Sequence, residues 1–370
     1  MVPQDIHKTI QKHATQAETT ERIAPPTYDP TRHYLDIASH PYYRHLILLR
    51  HIIKVLSDAY MSEVADAKNI DLFMLTPSVS SPMGPGSDSE AIPIKFGNLT
   101  SYLTDSSQFG FEPILMNGID RAYCYLPSLR GEDPDKRHLN QFYHCEIEMK
   151  GEMESVMEVA EQYVKYLCDG MLKSEELIRA LSADAPVSLA MARRVVETKQ
   201  LRRVTFDDAC DALVKAGYSE FVNQTEHGRD ISSQGELKLF EIFNIEEPFW
   251  LTDFDRDRVP FYQKPNPKNT DKVLNADLLF PNLTADGFGG EILGAGQRQD
   301  SSDEMYESLA RQGLSADPYE WYIDLRHDPK YLPTSGFGLG IERFIVWILA
   351  LDNIRDAILY PRLKNVLTTP

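Results

Sequence analysis

With 370 residues, 42% of them apolar and 25% charged, the chain can bury one large core or two modest ones and is too apolar to be mainly disordered. Against 38 Lys and Arg stand 56 Asp and Glu, a formal charge of −18 that repels phosphodiester polymers and excludes a general nucleic-acid coat protein. The polar N-terminal stretch and the lack of any apolar run of about 18 residues argue against a signal peptide or membrane span, so the cytoplasm is the expected compartment.

Residues 1–41 are polar and carry Pro25, Pro26 and Pro30, which predicts a loosely held arm and no core of its own. From Tyr42, Leu46, Leu49, Ile52, Ile53 and Leu56 recur at helical steps and predict an amphipathic helix of roughly four to five turns. An extended run over 72–79 and a turn-rich stretch over 80–90 follow. Short runs at 91–96, 101–103, 122–126 and 141–149 are spaced as in an antiparallel sheet. Between about 152 and 217 the period turns helical, with Val156, Val159, Ala160, Tyr163 and Leu167 on one stripe, and predicts a helical insertion. Strand-like segments resume at 249–252, 273–279, 291–293 and 321–325, before a glycine-rich turn at 336–340 and a helix from Ile341 to about Leu351. The expected fold class is α+β, with one domain over 42–370. Cys124, Cys145, Cys168 and Cys210 never take CxxC spacing and are expected as free thiols.

Three segments place charged groups on predicted sheet. Arg130-Gly-Glu132 precedes Arg137-His138 and Phe142. Guanidinium and imidazole groups flanking an acidic loop suit phosphate oxygens and a ring suits a purine, although an exposed hairpin with surface ion pairs would carry the same residues. Asp277 and Glu291 lie on neighbouring predicted strands, a donor set that suits Mg2+ with substrate phosphates and equally suits ordinary strand ends. In Ser335-Gly336-Phe337-Gly338-Leu339-Gly340-Ile341-Glu342-Arg343, alternate glycines admit a ligand against the backbone, ahead of a helix whose N-terminus favours an anion. This G-x-G-x-G spacing is not the dinucleotide fingerprint, and no G-x-x-x-x-G-K-[ST] loop occurs, so Rossmann and P-loop sites are excluded.

Together these segments resemble the catalytic core of class II aminoacyl-tRNA synthetases of the asparaginyl and aspartyl branch, from about residue 42 to the C-terminus. SLRGEDPDKRHLNQF resembles the second motif of that branch, GFGLGIERF with LDNIRDAILYPR the third, and EILGAGQR and YEWYIDLR the strands between. The helix from Tyr42 and the strand ending at Pro77 stand for the first motif, which implies a homodimer interface. The resemblance implies an antiparallel sheet flanked by helices. It implies that Arg130 neutralises the α-phosphate of ATP, Glu132 meets the adenine and His138 reaches the γ-phosphate. Phe142 and Arg343 would sandwich the adenine beside Gly340, and Asp277 and Glu291 would hold Mg2+. Gln108, Gln141, Gln297, Arg298, Arg326 and Ser335 then fall in the acid-substrate site, with Arg130 and Arg343 as the catalytic pair.

The chain departs from that branch where substrate is held. Gly84 stands where the branch has a glutamate for the substrate ammonium, with Asp88 or Glu90 as substitutes, and Gln141 replaces another glutamate. The stretch from Arg326-His327 to Ser335 is longer than its counterpart, and residues 1–41 are too short for an anticodon-reading barrel. The expected function is an ATP-dependent, AMP-forming ligase that activates an Asp- or Asn-like amino acid or related small acid and passes it to ammonia or a small amine. Two other readings stand beside it. One is aminoacylation of tRNA through a basic run, Arg193, Arg194, Lys199, Arg202 and Arg203; the other is a nucleotide-binding paralogue without turnover, which the retained phosphate ligands oppose. Glu236 is a candidate for the substrate pocket, and His40, His45 and His51 are expected as interface or surface histidines.

Overall fold

The computed structural model describes residues 2–16, 21–80, 82, 90–225 and 227–369; Gly84 and Asp88 lie outside them. Helices α1 (Gln4–Ala14), α2 (His33–Ser39) and α3 (Pro41–Ala59) precede strands β1 (Lys68–Asn69), β2 (Leu75–Thr76), β3 (Pro93–Phe96) and β4 (Leu99–Leu103). Helix α4 (Gln108–Met116) leads into the long strands β5 (Arg121–Leu129) and β6 (Gln141–Lys150). Next come α5 (Met153–Leu172), α6 (Glu175–Leu181), α7 (Ala185–Glu197), β7 (Arg203–Thr205) and α8 (Phe206–Lys215). They are followed by β8 (Val222–Thr225), β9 (Gly228–Ile231), α9 (Ser233–Phe243) and β10 (Phe249–Thr252). The chain continues through β11 (Pro265–Asn266), β12 (Asn269–Val273), β13 (Asn275–Phe280) and β14 (Gly290–Gln297), and ends in α10 (Ser302–Arg311), α11 (Glu320–Ile323), β15 (Thr334–Gly340) and α12 (Ile341–Ile348).

One sheet organises the molecule, in the order β1-β5-β6-β15-β14-β13-β10-β7. Pairing is antiparallel from β5 to β10, as expected, and parallel at the two short edges, β1 with β5 and β7 with β10. Strand alternation sends Cys145 and Ile147 of β6, Leu293 of β14 and Phe337 and Leu339 of β15 to one face, where they are buried in a common core with Val156, Ala160 and Tyr163 of α5. Tyr163 stacks on Phe337 at 6.0 Å. The 152–217 stretch, expected as an insertion, therefore begins with a helix that roofs the sheet, and it also contains edge strand β7. Gly170 lets α3 approach α5 closely, since a Cβ there would lie 2.9 Å from Leu56 Cδ2.

Several sequence expectations are corrected. The arm is docked: α1 buries Ile10 and Ala14 in the main core, and the Val2 N–H donates to Asp169 Oδ2 at 2.8 Å. An apolar stripe on an otherwise polar helix supplies that anchor. The glycine-rich turn at 336–340 is the C-terminal part of β15, a central strand paired on both sides. The segment 321–325 is helical. Tyr319, Tyr322 and Ile323, at helical spacing, fill an aromatic cluster with Phe109 and Phe261, while Trp321 stays 42% exposed. Only Leu75–Thr76 of the extended run at 72–79 pairs as a strand. The histidines serve packing: His40 caps α3, His45 Nδ1 donates to Pro41 O, and His51 meets the edge of His13. All four cysteines are free and buried. Among the described residues no helix is long and apolar enough to cross a membrane.

Candidate active site

The sheet face opposite α5 is floored by glycine. Register aligns Gly340, Gly338 and Gly336 of β15 with His144, Glu146 and Glu148 of β6, and Gly338 and Gly336 with Gly294 and Gly296 of β14. Because side chains alternate, every second residue on these strands faces the same way, so the missing side chains leave a trough between the acidic row of β6 and Asp277 of β13, occupied over Gly336 and Gly296 by the side chains of Glu148, Arg298 and Gln263. That is the physical use of G-x-G-x-G here: a strand with one bare face.

At one end the trough deepens into an open cavity. Arg130, Glu132, His138 and Phe142 line it from β6 and the loop before it, and Glu291, Gly340 and Arg343 line it from the other side. Arg137 and His144 also face the cavity. His144 is legible as the residue two beyond Phe142 on a strand, which puts both rings on one face, 4.9 Å apart. Asn140 shapes the loop by donating from Nδ2 to Arg130 O (2.9 Å) and Glu132 O (2.7 Å). Asp135 accepts from the backbone N–H groups of Arg137 and His138 and from His138 Nδ1, at 2.6, 2.7 and 2.9 Å. Glu90 is stitched to the same loop, its carbonyl accepting from Gly131 N and its N–H donating to Glu132 Oε2. The Arg130 guanidinium lies 5.4 Å from the Phe142 ring centroid, and its buried Nε has no acceptor among the described residues. A phosphate oxygen would supply one.

The carboxylates converge through a β-bulge. The pairing steps from Leu278↔Leu293 to Leu279↔Glu291, so Ile292 is the extra residue and Glu291 is turned to the same face as Asp277. A Cβ on Gly294 would lie 3.3 Å from Asp277 Oδ1 and 3.5 Å from Glu291 Oε1. Arg343 Nη1 donates to Glu291 Oε2 at 2.9 Å and to its carbonyl at 3.0 Å. From α9, Glu236 reaches the cluster, its Oε2 accepting the Glu291 N–H at 3.2 Å. Burial and the neighbouring Glu291 and Glu236 carboxylates raise the Asp277 carboxyl well above its ordinary range. Burial and Glu291 push Glu236 up to about 7. Burial pushes Glu291 upward too, but Arg343 prevails and holds it below its ordinary value. Such crowding of negative charge fits a divalent cation held by Asp277 and Glu291. Among the described residues no three His, Cys, Asp or Glu side chains form a metal cage, so phosphate oxygens and water would complete the shell, as is usual for Mg2+.

Further along the trough Arg298 grips Glu148, with Nε 3.0 Å from Oε1 and Nη2 2.9 Å from Oε2, both residues buried. Gln108 is buried at the start of α4, and its Nε2 has no partner among the described residues. Four other candidates do not reach the trough. Gln141 precedes Phe142 and Gln297 precedes Arg298, so alternation turns both away, and Gln297 Oε1 instead accepts the Met153 N–H at the start of α5. Ser335, next to Gly336, likewise donates to Gly151 O at 2.8 Å. Arg326 is enclosed in the protein: Nη2 pairs with Glu112 Oε1 at 2.8 Å, and the guanidinium lies 4.2 Å from the Tyr322 ring and 4.7 Å from that of Tyr331.

The profile of the tRNA synthetases class II (D, K and N) matches residues 27–364. The chain belongs to this family. Its asparagine–tRNA ligase from Thermococcus gammatolerans is 34% identical over 273 residues, 73% of this chain and 59% of that protein. The one from Thermoplasma acidophilum is 31% identical over 266 residues, 70% and 57% respectively. The chain thus spans less than two thirds of the length of these curated relatives. The crystal structure of asparaginyl-tRNA synthetase from Pyrococcus horikoshii complexed with asparaginyl-adenylate superposes with a TM-score of 0.79 at 27% identity, covering 92% of this chain and 73% of that one. Its Entamoeba histolytica counterpart, also with asparaginyl-adenylate, gives 0.74 at 25%, with the same coverage. The mixed α+β architecture, a mainly antiparallel sheet flanked by helices, is the class II synthetase fold.

Proposed function

We propose that this class II synthetase relative activates the carboxylate of an asparagine-like α-amino acid with ATP and transfers the acyl group from the adenylate to ammonia or a small amine. One observation carries the reading. Arg130, Phe142, Arg343 and Glu291 line a single cavity, Asp277 meets Glu291 over Gly294 beside it, and the buried Glu148–Arg298 pair lies further along the same sheet face. The substrate carboxylate oxygen attacks the α-phosphorus, the bond to the bridging oxygen of the β-phosphate breaks, and pyrophosphate leaves. An amine nitrogen then attacks the acyl carbon, the acyl–oxygen bond breaks, AMP departs, and the nitrogen loses a proton. Arg130 and Arg343 neutralise phosphate charge and Phe142 stacks on the base, so rate comes from positioning and electrostatics with no side-chain nucleophile. Bound Mg2+ would add further charge neutralisation at the phosphate oxygens.

For the acceptor, the basic run is largely engaged by the protein itself. Arg194 pairs with Glu246, Arg203 is bidentate to Glu154 at 2.7 Å, and Arg202 donates to Phe243 O. That favours a small nucleophile over a polyanion. The tRNA reading is kept because the similar proteins are asparagine–tRNA ligases. Exchange of labelled pyrophosphate into ATP is expected with asparagine or a close analogue. Failure across a panel of acids sinks the activation reading, and product formed only with tRNA moves the acceptor assignment to the second.

We also propose a homodimer through the outer stripe of α3, where Ile47 is 43% exposed. Sedimentation equilibrium should give twice the chain mass, and Ile47→Asp should give a monomer; a monomeric native protein removes the assignment. The expected compartment is the cytoplasm.

A further inference from the structure

Beyond the carboxylate pair, the trough ends under a side chain that none of the motifs includes. Gln263 lies on the segment before β11 and bridges in antiparallel fashion to Arg298. Its neighbours keep the same pairing, Lys264 N donating to Gln297 O at 2.9 Å and Gln299 N to Tyr262 O at 2.8 Å. The segment is therefore fixed to the end of β14. The Gln263 carboxamide lies flat on Gly296, where a Cβ would be 2.7 Å from both its Cδ and its Nε2. Gly296 is the registered partner of Gly336, over which sit the Glu148 carboxylate and Arg298 Nη2, the latter 2.9 Å from where a Cβ would be. Carboxamide, carboxylate and guanidinium thus meet over one pair of glycines.

The hydrogen-bond inventory of this end is unbalanced. Arg298 spends Nε and Nη2 on Glu148, and Gln263 Oε1 is buried with no donor among the described residues. A buried carbonyl oxygen without a donor costs roughly 1–3 kcal/mol, which a ligand N–H would recover. Gly296 lies two residues along β14 from Gly294, where Asp277 and Glu291 converge, a step of roughly 7 Å. In the proposed reaction, a small amino acid whose carboxylate meets the α-phosphate beside Asp277 and Glu291 would extend its side chain along β14 toward Gly296.

We infer that Gln263 is a specificity residue of the acid pocket: its Oε1 accepts a hydrogen bond from a nitrogen donor at the distal end of the substrate. The inference rests on the activation reading. It selects acids ending in a carboxamide or amine, because a terminal carboxylate would bring further acceptors against Glu148 and Gln263 Oε1 with no proton to share.

Pyrophosphate exchange with asparagine, aspartate and norvaline separates the outcomes. In the native protein asparagine is the best of the three. Gln263→Leu should raise the KM for asparagine about tenfold or more, leave the KM for ATP unchanged, and shrink the preference over norvaline by a similar factor. Gln263→Glu, which keeps an acceptor, should restore the preference over norvaline, and comparing it with Gln263→Met gives the same contrast should the leucine variant not fold. An unchanged asparagine-to-norvaline ratio in variants that exchange normally overturns the role of Gln263 while leaving activation intact. A native protein silent with every acid overturns activation itself, and this inference with it.

Discussion

Replacing Arg343 with alanine is expected to lower pyrophosphate exchange by roughly 10²–10³-fold while leaving the chain folded. Arg343 follows β15 directly, near the start of α12, so its position is set by a central strand and not by a mobile loop. Its Nη1 holds both the carbonyl and the carboxylate of Glu291, and it is the cation that keeps the Glu291 carboxyl below its ordinary value. On the proposed activation reading the substitution removes phosphate neutralisation, and it leaves Asp277, Glu291 and Glu236 crowded with one cation fewer. Lysine should recover only part of the rate, because a point charge cannot grip the carboxylate and meet a phosphate in one plane. The comparison is kcat for exchange against the circular dichroism spectrum. Full activity in a folded Arg343→Ala protein would remove the third-motif assignment.

Arg326→Leu should act on stability and not on substrate choice. Its guanidinium is 1% exposed and faces a Glu112 carboxylate that is fully buried and also receives Tyr331 Oη at 3.0 Å and Thr334 Oγ1 at 3.3 Å. Deleting one partner leaves an uncompensated buried charge, which costs about 3–5 kcal/mol in comparable pairs. Urea unfolding should show that loss. The double substitution Glu112→Leu with Arg326→Leu should recover most of it, since neither charge then remains buried alone. A variant with native stability but a changed KM for the acid would return Arg326 to the substrate pocket.

The sequence by itself determined the central strands, the bare face of β15 and the charged and aromatic residues that line the cavity. Each rests on a local pattern: alternation at 141–149, glycine at every second position from 336 to 340, and charged residues flanking Phe142. Alternation states which residues share a face, which is why Phe142 and His144 point together. Only the tertiary structure decided which of the two faces carries the chemistry, because that depends on where α5 lies, a choice made by contacts distant in sequence. Gln141, Gln297 and Ser335 fell to the wrong side of that choice. The bulge at Ile292 that turns Glu291 to the ligand face, the carboxylate of Glu236 brought in from α9, the helical state of 321–325 and the carboxamide of Gln263 laid over Gly296 all arise the same way. Each is settled by a neighbouring element that fills or opens space, and no window of sequence around the residue records what that neighbour will be.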